Sequence, residues 1–147
     1  MKKIFYIFFF LLLLTPSIFA EEIFLSLKKN KVNVRYGPGL DHPIKYIYRK
    51  INLPVKLIDK KENMRRVIFL DNNSGWIHRS QLKKTNSIIT LKEKILFTKP
   101  SKLSTPIAKL EKGRLLIVRK CENSWCKITT GDYSGWIKAE NVWGSIK

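Results

Sequence analysis

The sequence predicts an all-β protein built from two small barrels in tandem, and three observations carry that prediction. The tetrapeptide Ser74-Gly75-Trp76-Ile77 returns sixty residues later as Ser134-Gly135-Trp136-Ile137. Short runs of β-forming residues recur about every ten residues, with turn-forming residues between them. From residue 21 onward, no stretch holds a helical period over a dozen or more residues.

Residues 1–20 stand apart from this pattern. Lys2 and Lys3 precede an unbroken apolar run from Ile4 to Leu14, then Thr15, Pro16 and Ser17, and the segment closes on Ile18-Phe19-Ala20 before Glu21. A basic start, an apolar core, a helix-breaking proline and a small final residue make a secretory signal peptide, with cleavage expected after Ala20. The run falls short of the about 20 apolar residues a comfortable membrane span needs. Counting Ile18-Phe19-Ala20 lengthens it, so an uncleaved N-terminal anchor is the alternative. The expected location is outside the inner membrane, in the periplasm or bound to the envelope.

Removing that segment leaves 127 residues. A domain of about 60 residues buries only around 60% of its unfolded surface and gains from a neighbour or a covalent staple. The repeat divides the chain into residues 24–84 and 88–147, joined at the polar Lys83-Lys84-Thr85-Asn86-Ser87. Upstream of the tetrapeptide, Glu62-Asn63 matches Glu122-Asn123 at the same offset of sixty. Val32 and Val34 match Ile95 and Phe97, and Pro43-Ile44 matches Pro106-Ile107, at an offset of sixty-three. Such drift is what loop insertions between matching strands produce.

Each copy reads as short strands. Val32 and Val34 alternate with polar neighbours, Leu53, Val55 and Leu57 follow the same period, and Val67 to Leu70 is a β-forming run ended by Asp71-Asn72-Asn73-Ser74-Gly75. In the second copy Leu115 to Val118, Trp125 to Ile128 and Gly135 to Ile137 are separated by turns at Glu122-Asn123-Ser124 and Gly131-Asp132.

Charge bounds the partners without naming one. The chain carries 29 Lys and Arg against 11 Asp and Glu, a net +18, and both copies share the excess. Such a field favours anionic partners. Abundant lysine, isoleucine and asparagine would also follow from an A/T-rich coding bias.

The segment Val32-Asn33-Val34-Arg35-Tyr36-Gly37-Pro38-Gly39, then Asp41-His42-Pro43-Ile44 and a closing Gly75-Trp76-Ile77-His78, resembles the bacterial SH3-like domain family. The resemblance is strong in the first copy and weaker in the second, where Thr98-Lys99-Pro100-Ser101-Lys102 stands in the place of the opening loop. The family's tryptophan after the central turn is Met64 in the first copy and Trp125 in the second. Pro38 fixes φ for a turn and Gly39 can take φ > 0, as a type II turn requires. The loop is therefore expected in the first copy alone, and with it a ligand contact through Arg35, Tyr36, Gly37, Pro38 and Gly39. His42, Met64 and Trp76 are the expected neighbours of that contact. The bland alternative has Arg35 satisfying backbone carbonyls and Tyr36 packing the loop.

Cys121 and Cys126 are the only cysteines. A hairpin centred on Asn123-Ser124 would place them opposite one another, with β-carbons about 4.5–5.5 Å apart, near enough to bridge. Export supplies the oxidising compartment, and closing so small a loop gives about 2 kcal/mol. A free or redox-active pair is the alternative. Trp76 and Trp136 are read as packing residues that open the closing strands, and Trp143 as a candidate seal between the barrels.

No catalytic constellation is visible, for His42 and His78 lack a clustered carboxylate or thiol. Metal and cofactor sites are not expected. By resemblance, the chain is a non-enzymatic envelope module that recognises cell-wall (peptidoglycan) peptides or an envelope partner protein. The alternatives are a basic scaffold docking on anionic envelope surfaces and, less favoured, a nucleic-acid-binding barrel.

Overall fold

A computed structural model describes residues 20–145, so the proposed signal segment lies outside the described residues apart from Ala20. The first copy folds as β1 (Phe24–Leu27), β2 (Val32–Arg35), β3 (Ile44–Tyr48), β4 (Pro54–Lys61), β5 (Met64–Ile68) and β6 (Ser74–His78). A single 3-10 turn, Arg79–Gln81, leads into β7 (Leu82–Lys84). The second copy repeats the series as β8 (Ser87–Thr90), β9 (Lys94–Phe97), β10 (Pro106–Leu110), β11 (Leu115–Glu122), β12 (Trp125–Thr130), β13 (Tyr133–Lys138) and β14 (Val142–Gly144). The strand orders, β3-β2-β6-β5-β4-β1-β7 and β10-β9-β13-β12-β11-β8-β14, are the same order seven strands apart.

Alternation decides what each barrel encloses, since successive side chains on a strand face opposite ways. In the first barrel Leu27, Val32, Val34, Val55, Val67, Phe69, Ile77 and Leu82 form the core. In the second the core is Ile88, Leu96, Leu110, Leu116, Cys126, Ile128 and Ile137. Each barrel thus has its own core, as a repeat of independent units requires.

Register corrects three of the sequence matches. Val34 opposes Tyr46 and Arg35 opposes Ile44; in the second barrel Leu96 opposes Ala108 and Phe97 opposes Pro106. Leu96 is therefore the counterpart of Val34, Phe97 of Arg35 and Pro106 of Ile44, 62 residues apart rather than sixty-three. On the central hairpins Lys61 opposes Met64 and Glu122 opposes Trp125, so Glu62-Asn63 corresponds to Asn123-Ser124 rather than to Glu122-Asn123. Trp76 and Trp136 match at sixty, as each opposes the end of its barrel's second strand. The first barrel is one residue longer in the β1–β2 connection, 28–31 against 91–93, and in the β3–β4 connection, 49–53 against 111–114.

The barrels are joined by a small buried polar cluster. Ser26 Oγ donates to Thr85 Oγ1 at 2.8 Å and lies 2.8 Å from Ser87 Oγ, which in turn donates to Asn52 O. Ser26 and Ser87 are fully buried, so pairing removes a desolvation cost that a lone hydroxyl would carry. Trp143 on β14 closes the joint from the other side. Its Nε1 donates to Pro54 O at 3.1 Å and its ring meets Phe24 edge-on, with centroids 5.2 Å apart.

Candidate functional site

The loop between β2 and β3 is the first place to look, and its backbone differs from the expected turn. Gly39 does not take a positive φ. Its N–H reaches back to Gly37 O at 3.0 Å, closing a three-residue turn over Pro38 in place of the type II turn. Tyr36 N donates to Pro43 O and His42 N to Gly39 O, completing the loop. Gly37 is needed for space: a Cβ there would lie 2.4 Å from the His42 ring.

The second barrel builds the same loop, which overturns the expectation that only the first copy keeps it. Ser101 N donates to Lys99 O over Pro100, Ser104 N to Ser101 O and Thr98 N to Thr105 O, each bond 62 residues from its counterpart. Where His42 packs on Gly37, Ser104 Oγ donates to Lys99 O and Ser101 O. A proline and a run of small or polar residues suffice for this backbone, with glycine at neither flank.

Side chains, not backbone, separate the two loops. Arg35 Nη1 donates to His42 O at 2.6 Å, so this cation is engaged within its own loop. Tyr36 is 63% exposed. Lys45 sits at a β-bulge between the Arg35 and Val34 pairs, donates to Ser74 O at 3.1 Å, and lies over the rings of both Tyr36 and Tyr46. Trp76 is half-buried beside Arg35 across the β2–β6 ladder. Met64 is only 4% exposed and opposes His78, whose Nδ1 is held by Ser80. Met64, expected from the sequence as a neighbour of the contact, is therefore packed into the barrel surface.

On the second barrel the corresponding face is a groove of about 290 Å³. Phe97 replaces Arg35 and Trp125 replaces Met64, and the two rings meet edge-to-face at 5.7 Å. Lys102, Lys138 and Lys94 surround them, with Glu93 and Glu140. Lys138 pairs with Glu140 at 3.7 Å and Glu93 with Lys109 at 2.8 Å. Lys94 donates to Lys138 O and Glu140 O, and burial lowers its pKa against the pull of Glu140. Lys102, exposed on the loop, has no ion pair among the described residues. Trp136 opposes Phe97 across the β9–β13 ladder, with Lys120 Nζ 5.2 Å from its ring centroid.

Cys121 and Cys126 are bridged across the hairpin that carries Trp125, with Cα atoms 4.1 Å apart and directly opposed on β11 and β12. Both turn residues, Asn123 and Ser124, have positive φ, the two-residue hairpin geometry that matches strand twist. Among the described residues no group of three or more His, Cys, Asp or Glu could hold a metal ion. The groove was missed in the sequence because the one-residue register error hid Phe97 as the counterpart of Arg35. Trp125 was the available signal.

A family model described as Bacterial SH3 domain matches residues 28–84 and again 92–144. The chain belongs to the bacterial SH3 domain family. Both barrels are SH3 domains in their own right, and the matches fall on the two halves that the strand orders define. No curated protein matches the chain by sequence. Among solved structures, NlpC2 from Trichomonas vaginalis aligns over 85% of this chain and 49% of its own, at 15% identity and a TM-score of 0.39. NlpC1 from the same organism aligns over 88% and 48%, with the same identity and TM-score. The chain thus spans about half the length of each.

Proposed function

We propose that the chain is an exported, non-enzymatic binding module of the cell envelope, recognising carboxylate-bearing peptides such as those of the cell wall. The observation that carries this reading is the second-barrel groove. An edge-to-face Phe97–Trp125 pair offers an apolar shelf, and Lys102 stands beside it as a cation without an ion pair among the described residues. Aromatic rings give contact area at low entropic cost, and an ammonium supplies a charge-assisted hydrogen bond to a carboxylate. Such a bond contributes about 1.5–3 kcal/mol, so binding is expected to be weak, in the micromolar range or above.

The test compares binding of purified sacculi by the wild type and two variants. Phe97→Ala with Lys102→Gln should weaken binding tenfold or more, while Arg35→Ala with Tyr36→Ala should change it little. The reverse pattern would return the contact to the first-barrel loop and sink the groove. Binding that vanishes at high salt, and is indifferent to both pairs, would instead favour a basic scaffold on an anionic surface.

A further inference from the structure

We propose that the cleft between the two barrels is a separate binding site, for a small anionic ligand that also carries a hydroxyl or amide donor. The cleft measures about 450 Å³, within the range of small-molecule sites of about 300–1,000 Å³. Arg49, Lys50 and Asn52 line it from the first barrel, and Leu115, Ile117 and Thr130 from the second. It exists only because the barrels are docked.

Charge selects the ligand's sign. No acidic residue lines the cleft, and Arg49 and Lys50 are both exposed at its edge. A third cation lies along the opposite wall: Arg114 Nε donates to Thr130 Oγ1 at 3.1 Å. Its Nη2 comes within 3.9 Å of where a Cβ on Gly131 would stand, and Gly131 also lines the cleft. Two cations of the first barrel thus stand at the edge of the concavity, with Arg114 held beside its far wall by Thr130, a charge distribution that favours phosphate or carboxylate.

Asn52 selects the rest. Its backbone is fully used, since N–H donates to Leu27 O at 2.9 Å and the carbonyl accepts from Ser87 Oγ. Its Oδ1, however, is buried with no hydrogen-bond partner among the described residues. A buried acceptor without a donor is costly and calls for one. The repeat provides a control. The counterpart of Asn52 is Gly113, which makes the same bond to Thr90 O at 2.8 Å and has φ 83°, against 65° for Asn52. Asparagine is the residue that most readily shares this backbone region with glycine, as Asn72, Asn123 and Asn141 also do, and in the first barrel it places a carboxamide at the wall of the cleft. The seryl cluster that fixes the barrels also pre-forms the site, which lowers the ordering cost of binding.

This site shares no lining residue with the second-barrel groove, so either can fail without the other. The experiment follows backbone amide shifts of the purified protein during titration with glycerol 3-phosphate and, separately, N-acetylalanine, which present a phosphate and a carboxylate. Glycerol is the neutral control. Saturable shifts at Asn52, Thr130 and Gly131 are expected from at least one probe, and which probe saturates tells phosphate from carboxylate. Arg49→Gln with Lys50→Gln should weaken that binding tenfold or more. Asn52→Gly, which suits the backbone, should erase the preference for glycerol 3-phosphate over inorganic phosphate, or for N-acetylalanine over acetate. Shifts that never saturate, that scatter over lysines of both barrels, or that persist unchanged in the double variant would overturn the proposal.

Discussion

The two barrels are one backbone carrying two chemistries. Strand order, bulge positions and the hydrogen bonds of the β2–β3 and β9–β10 loops repeat one for one. The side chains around the loop diverge at matched positions: Arg35, buried Met64 and His78 in the first barrel, Phe97, Trp125 and Lys138 in the second. Opposed Lys60 and Arg65 in the first become opposed Cys121 and Cys126 in the second. Conserving the fold asks for the interior of each strand and the turns, which leaves the outer face free to specialise. The second barrel has used that freedom to assemble an aromatic groove stapled by a disulfide beside it.

The closest point of equivalence is the glycine that opens each closing strand, and it offers the largest way to break the comparison. A Cβ on Gly135 would stand 2.7 Å from Phe97 O and 2.9 Å from both Ile107 Cδ1 and Leu96 Cγ. On Gly75 it would stand 2.5 Å from Val34 Cγ1 and 2.9 Å from Arg35 O. Gly75→Ala and Gly135→Ala should each cost about 1–3 kcal/mol or more, because the obstructing atoms include backbone that cannot rotate away. Urea unfolding followed by tryptophan fluorescence reads the loss. Tolerance at one site alone would mean that the barrels do not share this packing constraint.

The disulfide sharpens the difference instead. Cys121→Ser with Cys126→Ser should destabilise the second barrel by about 2 kcal/mol and leave the first nearly untouched. Hydrogen exchange at Ile128 and Ile137 against Val67 and Ile77 separates the two, since all four are fully buried. Equal loss of protection in both barrels would show them to unfold as one unit.

The smallest expected effect is at the joint. Trp143→Phe keeps an aromatic ring against Phe24 but removes the donor to Pro54 O. A loss of about 0.5–1.5 kcal/mol is expected, seen as a wider gap between the unfolding midpoints of the two barrels. No change would place the strength of the joint in the seryl cluster instead.

Much of this was legible in the sequence because it depends on local chemistry. The repeat, the β-periodicity and the hairpin that pairs Cys121 with Cys126 follow from spacings along the chain, and the place of Trp143 near its end made it a candidate seal between the barrels. What escaped were features set by register and by three-dimensional neighbours. Identical residues drew Glu62-Asn63 onto Glu122-Asn123, although a one-residue difference in the loops shifts that match. Gly37 and Gly39 suggested a turn unique to the first copy, whereas the second reaches the same backbone around Pro100. That Arg35 satisfies a backbone carbonyl was one of the two readings open in the sequence, and only the folded loop picks out His42 O, 2.6 Å away, as the acceptor. The inter-barrel cleft needs the docking of the barrels and had no sequence signal of its own.

The placement of Trp143 also imposes an order on assembly. A chain emerges N-terminus first, and the strand that bears Trp143 is made sixty residues after β7 has completed the first barrel. For that interval the first barrel holds a finished core, while the Phe24 ring and the Pro54 carbonyl still await the indole. The indole half of the joint therefore acts as a latch that shuts only when the second barrel is complete, and a chain interrupted before β14 would hold its barrels by the seryl cluster alone.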